Sequence, residues 1–218
     1  MLENVRLAFE SVLDTILPLR PRSARTKKLL LEKLPLTPTS HELLGGHMTT
    51  LMDYQRPEVR DLIQSLKYDG AGFASHLCAS VLSEYFSEEL SSARMYSQKR
   101  IVIMPVPLHA TRQRERGFNQ IGLVLDSLPL EYREGGVATL MPHALKRTRH
   151  TTPQTHLSRA ARLRNLDGAF HVPNPALVQN THVYIVDDVC TTGATLMHAS
   201  TALRRAGAEV SMIALARA

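Results

Sequence analysis

The sequence predicts an α/β domain, a mainly parallel central sheet flanked by helices, with a small helical appendage at its N-terminus. Three observations lead there. Ile101–Val106, Val183–Val186 and Val210–Leu215 are short runs that stay apolar at every position apart from single interruptions, as strands buried on both faces do. Segments with apolar residues at helical spacing lie between them, and such alternation builds a parallel sheet covered by helices. The chain has 218 residues, 44% of them hydrophobic, enough to bury a core without disulfides or metal.

In chain order, Val5, Phe9, Val12, Leu13, Ile16 and Leu17 repeat at helical spacing and predict a first amphipathic helix. The Pro18–Arg22 break follows, and then a basic stretch containing Leu29, Leu30, Leu31 and Leu34 predicts a second. Pro35, Pro38 and Gly45-Gly46 predict a linker over about 35–50, so the appendage is assigned residues 1–50 and the main domain 51–218. Helices are expected over Val59–Leu66 and over Ala74–Phe86, the latter with Leu77, Val81, Leu82 and Phe86 on one face. After the strand Ile101–Val106 comes a helix over Asn119–Leu128, and Asn119 doubles as a candidate N-cap. The strand Val183–Val186 leads to a helix over Leu196–Arg205 that Gly207 ends, and Val210–Leu215 is the last strand.

The net charge of +6 is unevenly placed. Residues 20–33 carry +5, residues 99–120 carry +4 and residues 146–164 carry +6, leaving the rest of the chain acidic. Clustered Lys and Arg attract phosphates, either of a small anionic metabolite or of a nucleic-acid backbone. Cys78 and Cys190 are the only cysteines and lie far apart. They build neither a disulfide scaffold nor a zinc ribbon, and the expected compartment is the reducing cytoplasm. His41 and His47 have no thiolate beside them to complete a zinc site. The longest apolar run, Ile101–Leu108, is far short of the roughly 20 residues that span a bilayer, so no membrane is expected as a partner. Glu3, Arg6, Glu10 and Asp14 interrupt the N-terminal region where a signal peptide needs continuous apolar sequence.

The most specific pattern is the run from His182 to Thr195. A buried strand leads into Asp187-Asp188, then Val189, Cys190, Thr191, Thr192, Gly193, Ala194 and Thr195, then a helix with Leu196, Ala199, Ala202 and Leu203 at helical spacing. Helix-start N–H groups, the hydroxyls of Thr191, Thr192 and Thr195, and a flexible Gly193 can cradle a phosphate monoester. Two carboxylates at the strand end suit a vicinal diol and would repel a bare polyphosphate, which favours a sugar phosphate. The loop lacks the lysine of a P-loop. A Thr/Asp-rich turn that merely caps a helix is the competing reading, and the order of strand, acid pair, loop and helix weighs against it. Cys190 is read as a small loop residue in preference to a nucleophile.

This element resembles the type I phosphoribosyltransferases, whose signature is a hydrophobic strand, two acidic residues and a Thr/Gly-rich loop. The resemblance implies that Asp187 and Asp188 hold the ribose 2′ and 3′ hydroxyls and that residues from Val189 to Thr195 bind the 5′-phosphate of phosphoribosyl pyrophosphate. A second segment, Pro105-Val106-Pro107-Leu108-His109 followed by Arg112, Arg114 and Arg116-Gly117-Phe118-Asn119-Gln120, resembles the competence protein F (ComF) family within that group. So do Tyr54, Leu62, Lys67-Tyr68 and Gly70 upstream, and the block from Lys146-Arg147 through Gln154, Arg162 and Asn165 to Phe170. The likeness covers about residues 52–218. Arginine forks suit pyrophosphate: Arg112 and Arg116 are the candidates on the fixed loop, with His109 at the strand end, and Lys146 and Arg147 on the mobile hood. The competing reading for any one arginine is a solvated helix face.

The resemblance further implies transfer of a phosphoribosyl group to a nitrogen or similar nucleophile, with Mg²⁺ bridging substrate hydroxyls and pyrophosphate and no protein metal cage. It also implies a setting in natural transformation, with single-stranded DNA and a helicase-like competence protein as partners. A non-catalytic DNA-binding or regulatory module is thus the alternative. Sparse aromatics near the basic stretches weaken the DNA reading. Many family members begin with a cysteine-rich zinc module; this N-terminal region has no cysteine, so its leucines are expected to hold it.

Overall fold

A computed structural model describes residues 20–43, 46–69, 72–148 and 168–218. The expected helix over Val5–Leu17 and most of the basic block 146–164 lie outside the described residues. Among the described residues the central sheet has six strands in the order β1-β2-β8-β7-β3-β4. They are β1 (Leu36–Leu43), β2 (Gly46–Asp53), β3 (Arg100–Pro105), β4 (Thr139–Leu140), β7 (Thr181–Cys190) and β8 (Glu209–Arg217). Every neighbouring pair is parallel except β1 with β2. A separate antiparallel pair joins β5 (Lys146–Arg147) to β6 (Phe170–His171). The helices are α1 (Pro21–Lys27), α2 (Pro57–Tyr68), α3 (Gly72–Tyr96), α4 (Ala110–Arg116), α5 (Gln120–Asp126) and α6 (Ala194–Arg205).

Strand alternation divides the core in two. Ile101, Ile103, Tyr184, Val186, Ile213 and Leu215 point to the face covered by α2, α3 and α5. Val102, Met104, Val183, Ile185, Met212 and Ala214 point to the face covered by α6 and by Phe170. The continuous apolar runs therefore mean two buried faces, as expected. In α2, Val59, Leu62, Ile63 and Leu66 fall on one stripe and are wholly buried, each stabilising by about 1.5–3 kcal/mol. Helix α3 runs ten residues past its expected end at Phe86, because Glu88, Glu89, Leu90 and Arg94 are good helix formers and no proline intervenes. Phe86 anchors it, with the rings of Tyr132 and Tyr184 each 5.9 Å away.

The stretch expected as a linker is a β-hairpin. β2 pairs with β8 from Met48↔Met212 to Asp53↔Arg217, so the expected division after residue 50 falls inside a sheet strand. The misreading has a physical cause: β1 is an edge strand, rich in Thr, Ser and His, and carries Pro38 where its register with β2 slips, as an edge permits. The second expected helix also shifts. α1 ends at Lys27, before the leucines, of which Leu34 is buried and Leu30 is exposed.

The chain leaves β3 toward β4 on one side and leaves β7 toward β8 on the other. A crevice opens at such a reversal, beyond the carboxyl ends of the two strands. The ends are Pro105 and the acid pair, with Pro105 registered against Val186.

Candidate functional site

β7 does not stop at Val186 but continues through the acid pair to Cys190. Aspartates disfavour strands, yet pairing with β8 holds them there, Asp187 opposite Ala214 and Cys190 opposite Arg217. Adjacent strand residues face opposite ways, and the two carboxylates part company accordingly. Asp187 faces the α6 side and, with residues Val189 to Leu196, lines a cup of about 30 Å³. Asp188 faces the α2 and α5 side and is buried. Lys67 Nζ lies 3.0 Å from its Oδ1, Gln120 Nε2 donates to its Oδ2 at 2.5 Å, and the Val189 N–H donates to Oδ1 at 2.6 Å.

Gly193 makes the cup's turn at φ +75° and opens α6 as its N-cap residue. Most L-residues avoid that region. The Thr192 hydroxyl accepts from the Ala194 N–H at 3.4 Å. Burial, then the neighbouring Asp188 charge, push the Asp187 carboxyl up to about 7, against the Asp188 N–H bond and the charges of Lys67 and Arg147. Its Oδ1 accepts the Asp188 N–H at 2.9 Å. Cys190 is buried, and burial pushes its thiol up to about 11, the opposite of what activates a nucleophile.

The structure distributes the expected pyrophosphate residues unevenly. Arg147 is half-buried with its guanidinium 5.6 Å from the Phe170 ring centroid. Burial lowers its pKa, the Arg112 charge lowers it further and Asp187 opposes, so these three charges share one neighbourhood. Lys146 is exposed and, by strand alternation, sits on the opposite face of β5 from Arg147. Arg112 is exposed on α4. Arg116 is placed with its guanidinium 5.7 Å from the Tyr68 ring centroid, on the α2 side. His109 caps α4, its Nδ1 accepting the Thr111 N–H at 3.2 Å.

Local chemistry explains this turn. Gly117, at φ +76°, ends α4 in the left-handed conformation. Asn119 then caps α5, its Oδ1 accepting from Ile121 and Gly122 at 3.1 and 3.3 Å, while its Nδ2 donates to the Val106 carbonyl at 3.1 Å. That last bond ties α5 to the end of β3 and delivers Gln120 to Asp188. Sequence reasoning passed over Lys67 and Gln120 as site residues. Lys67-Tyr68 and Gln120 stood out only through the family resemblance, and nothing local says that a lysine at residue 67 meets an aspartate at residue 188.

Several known proteins are similar to this chain. DNA utilization protein YhgH of Escherichia coli O6:H1 (strain CFT073) is 35% identical over 206 residues, spanning 88% of this chain and 85% of the relative. Competence protein F of Haemophilus influenzae is 40% identical over 121 residues, 53% of this chain and 50% of the relative. The chain belongs to the ComF family. Competence protein ComFC of Bacillus subtilis is a further ComF relative, 30% identical over 142 residues, 64% of this chain and 54% of its own. No protein-family model matches the chain. Two solved structures align over most of it at low similarity. The orotate phosphoribosyltransferase of Mycobacterium tuberculosis has a TM-score of 0.36 and 15% identity, covering 88% of this chain and 82% of that one. A phosphoribosyltransferase from Corynebacterium diphtheriae has a TM-score of 0.35 and 16% identity, covering 89% and 81%. This ComF chain is α/β, with a mainly parallel central sheet. Among the described residues, no helix is long and apolar enough to cross a membrane.

Proposed function

We propose that this ComF-family chain binds phosphoribosyl pyrophosphate at the carboxyl ends of β3 and β7 and transfers its phosphoribosyl group to an acceptor. The observation that carries the reading is the cup from Val189 to Leu196 with Asp187 on its rim and a glycine-turned helix start at its base. A phosphate monoester in the cup meets N–H and hydroxyl donors, and the sugar hydroxyls then face Asp187. Across the crevice, Arg147 and Arg112 supply the positive charge that pyrophosphate needs. Asp188 serves from behind, holding Lys67 and Gln120. The Gln120 Oε1 atom is buried with no hydrogen-bond partner among the described residues, a spare acceptor beside the acid pair.

In the transfer, the bond from the ribose C1 to the pyrophosphate oxygen breaks with its electron pair leaving on oxygen. The acceptor's lone pair forms the new bond to C1, and its proton passes to solvent. The guanidiniums meet the charge that develops on the leaving group. Asp187 is the acidic group at the cup beside which an ion carried on the substrate would lie. A substrate-borne Mg²⁺ would supply charge neutralisation of the pyrophosphate.

The relatives named for DNA utilization and competence support a role in DNA handling. The basic cluster at 20–33 gives direct nucleic-acid binding less support than its charge suggested: Arg20 and Arg22 pair with Asp69, and Arg25 pairs with Asp61. The test is thermal shift and calorimetry with phosphoribosyl pyrophosphate and Mg²⁺. The expected result is a rise in Tm that Asp187→Asn and Thr192→Val each reduce by more than half. No shift in the parent, or an unchanged shift in both variants, overturns the assignment.

A further inference from the structure

Three consecutive residues at the end of α2 each face a different part of the molecule. Lys67 reaches Asp188 behind the cup at 3.0 Å. The Tyr68 ring is approached by two guanidiniums, Arg22 of α1 with its centre 5.6 Å from the centroid and Arg116 of α4 at 5.7 Å. Asp69 takes Arg22 in a two-pronged pair, Nε to Oδ2 at 3.0 Å and the outer nitrogen to Oδ1 at 2.8 Å. The Ser23 hydroxyl donates to Asp69 at 2.5 Å, and Arg20 lies 3.3 Å away. Arg22 also reaches Gln64 on the preceding turn at 3.4 Å.

We propose that Arg22 is a positioning residue for the acid pair: through Asp69 and Tyr68 it fixes the end of α2, and so holds Lys67 on Asp188. The mechanical case rests on rigidity at both ends of the link. Leu62, Ile63 and Leu66 are wholly buried one turn earlier, and the Asp69 N–H closes the helix on the Ser65 carbonyl at 3.1 Å. The side chain of Lys67 is 18% exposed and that of Asp188 9%, so a shift of the helix end cannot be absorbed by a swinging surface lysine. A forked guanidinium is suited to the task because it fixes orientation as well as distance, which an ammonium does not. The same ring touches Arg116, so the N-terminal segment, the arginine helix and the acid pair meet at one helix end.

Arg25 provides the internal control. It joins the same α1 to the same α2, through Asp61 at 2.6 Å, but two turns away from Lys67. The inference rests on the proposed ligand only for its second readout. The first is made on the free protein: the titration of Asp187 followed by carboxyl-carbon NMR, since the Lys67 charge is among those that hold that group down. Arg22→Ala and Arg22→Lys are both expected to move the Asp187 midpoint up by at least half a pH unit, with Arg25→Ala leaving it in place. Lys67→Met is expected to produce the same upward move and to leave nothing for Arg22→Ala to add. The second readout is affinity for phosphoribosyl pyrophosphate with Mg²⁺, expected to fall about tenfold in both Arg22 variants and less than twofold in Arg25→Ala. Arg22→Lys keeps the charge on α1 and covers the case in which Arg22→Ala does not fold. A loss of Tm in the Arg22 variants with no movement of the midpoint, or equal movement in Arg25→Ala, overturns the proposal. If the parent fails to bind the ligand, the proposed function falls and the titration still decides the coupling.

Discussion

Lys67 Nζ and Asp188 Oδ1 lie 3.0 Å apart, joining the last turn of α2 to the acid pair of β7. The lysine is the partner cation of a carboxylate that the fold has largely removed from water. Gln120 takes the carboxylate's other oxygen, so the three side chains form one connected group on the face of the sheet covered by α2, α3 and α5.

Removing the lysine leaves that carboxylate buried without its counter-charge. Lys67→Met is expected to cost about 3 kcal/mol at pH 7, the low end for breaking a buried pair from one side. Urea unfolding measures it. A cost below about 0.5 kcal/mol, typical of a surface pair, would show that Asp188 does not depend on the lysine.

Asp187 gives stability a pH dependence of unusual sign for a carboxylate. Its folded value is raised to about 7 from an ordinary 3.8, so between those values the folded state holds a proton that the unfolded chain has released. Stability therefore falls as pH rises through that window. Asp187→Asn keeps an acceptor for the Asp188 N–H and removes the charge. The variant should exceed the parent in stability by on the order of 2 kcal/mol at pH 8, with the gain vanishing near pH 4. Chemical denaturation across pH reads it, and a gain independent of pH would contradict the cause given.

Gly193 turns the cup at φ +75°. Gly193→Ala should lose about 1–2 kcal/mol of stability from the left-handed backbone alone. It should also weaken binding of phosphoribosyl pyrophosphate by misdirecting the helix-start N–H groups. Paired unfolding and calorimetric titrations separate the two effects.

Both cysteines are buried, and burial pushes the Cys190 thiol up to about 11 and raises that of Cys78. In the folded protein at pH 8, neither should react with an aromatic disulfide reagent within an hour, whereas both should in urea. Rapid labelling of Cys190 would reopen a nucleophilic role.

Much of this architecture was legible locally. β3, β7 and β8 announced themselves as strands buried on both faces, and Asn119 marked the start of α5. The hairpin β1–β2 was not legible. A polar edge strand carrying Pro38 has the composition of a linker, and only pairing with β8 makes β2 part of the sheet. The basic stretch 20–33 misled in another way: its charge is real, but Asp61 and Asp69 take up Arg20, Arg22 and Arg25, an arrangement that a count of charges does not reveal.

By itself the sequence determined the order of strand, acid pair, glycine turn and helix, because those features are written in neighbouring residues and in periods of two and 3.6. That β7 runs on through the acid pair, and so turns Asp187 and Asp188 opposite ways, came only with its pairing to β8. Only the tertiary structure decided what each of them meets. Which helices cover which face depends on the direction of the crossovers, and so Asp187 lines the cup while Asp188 takes Lys67 and Gln120 from 121 and 68 residues away in the chain. Contacts across such separations leave no local pattern, since each partner is an ordinary polar residue at the end or start of its own helix.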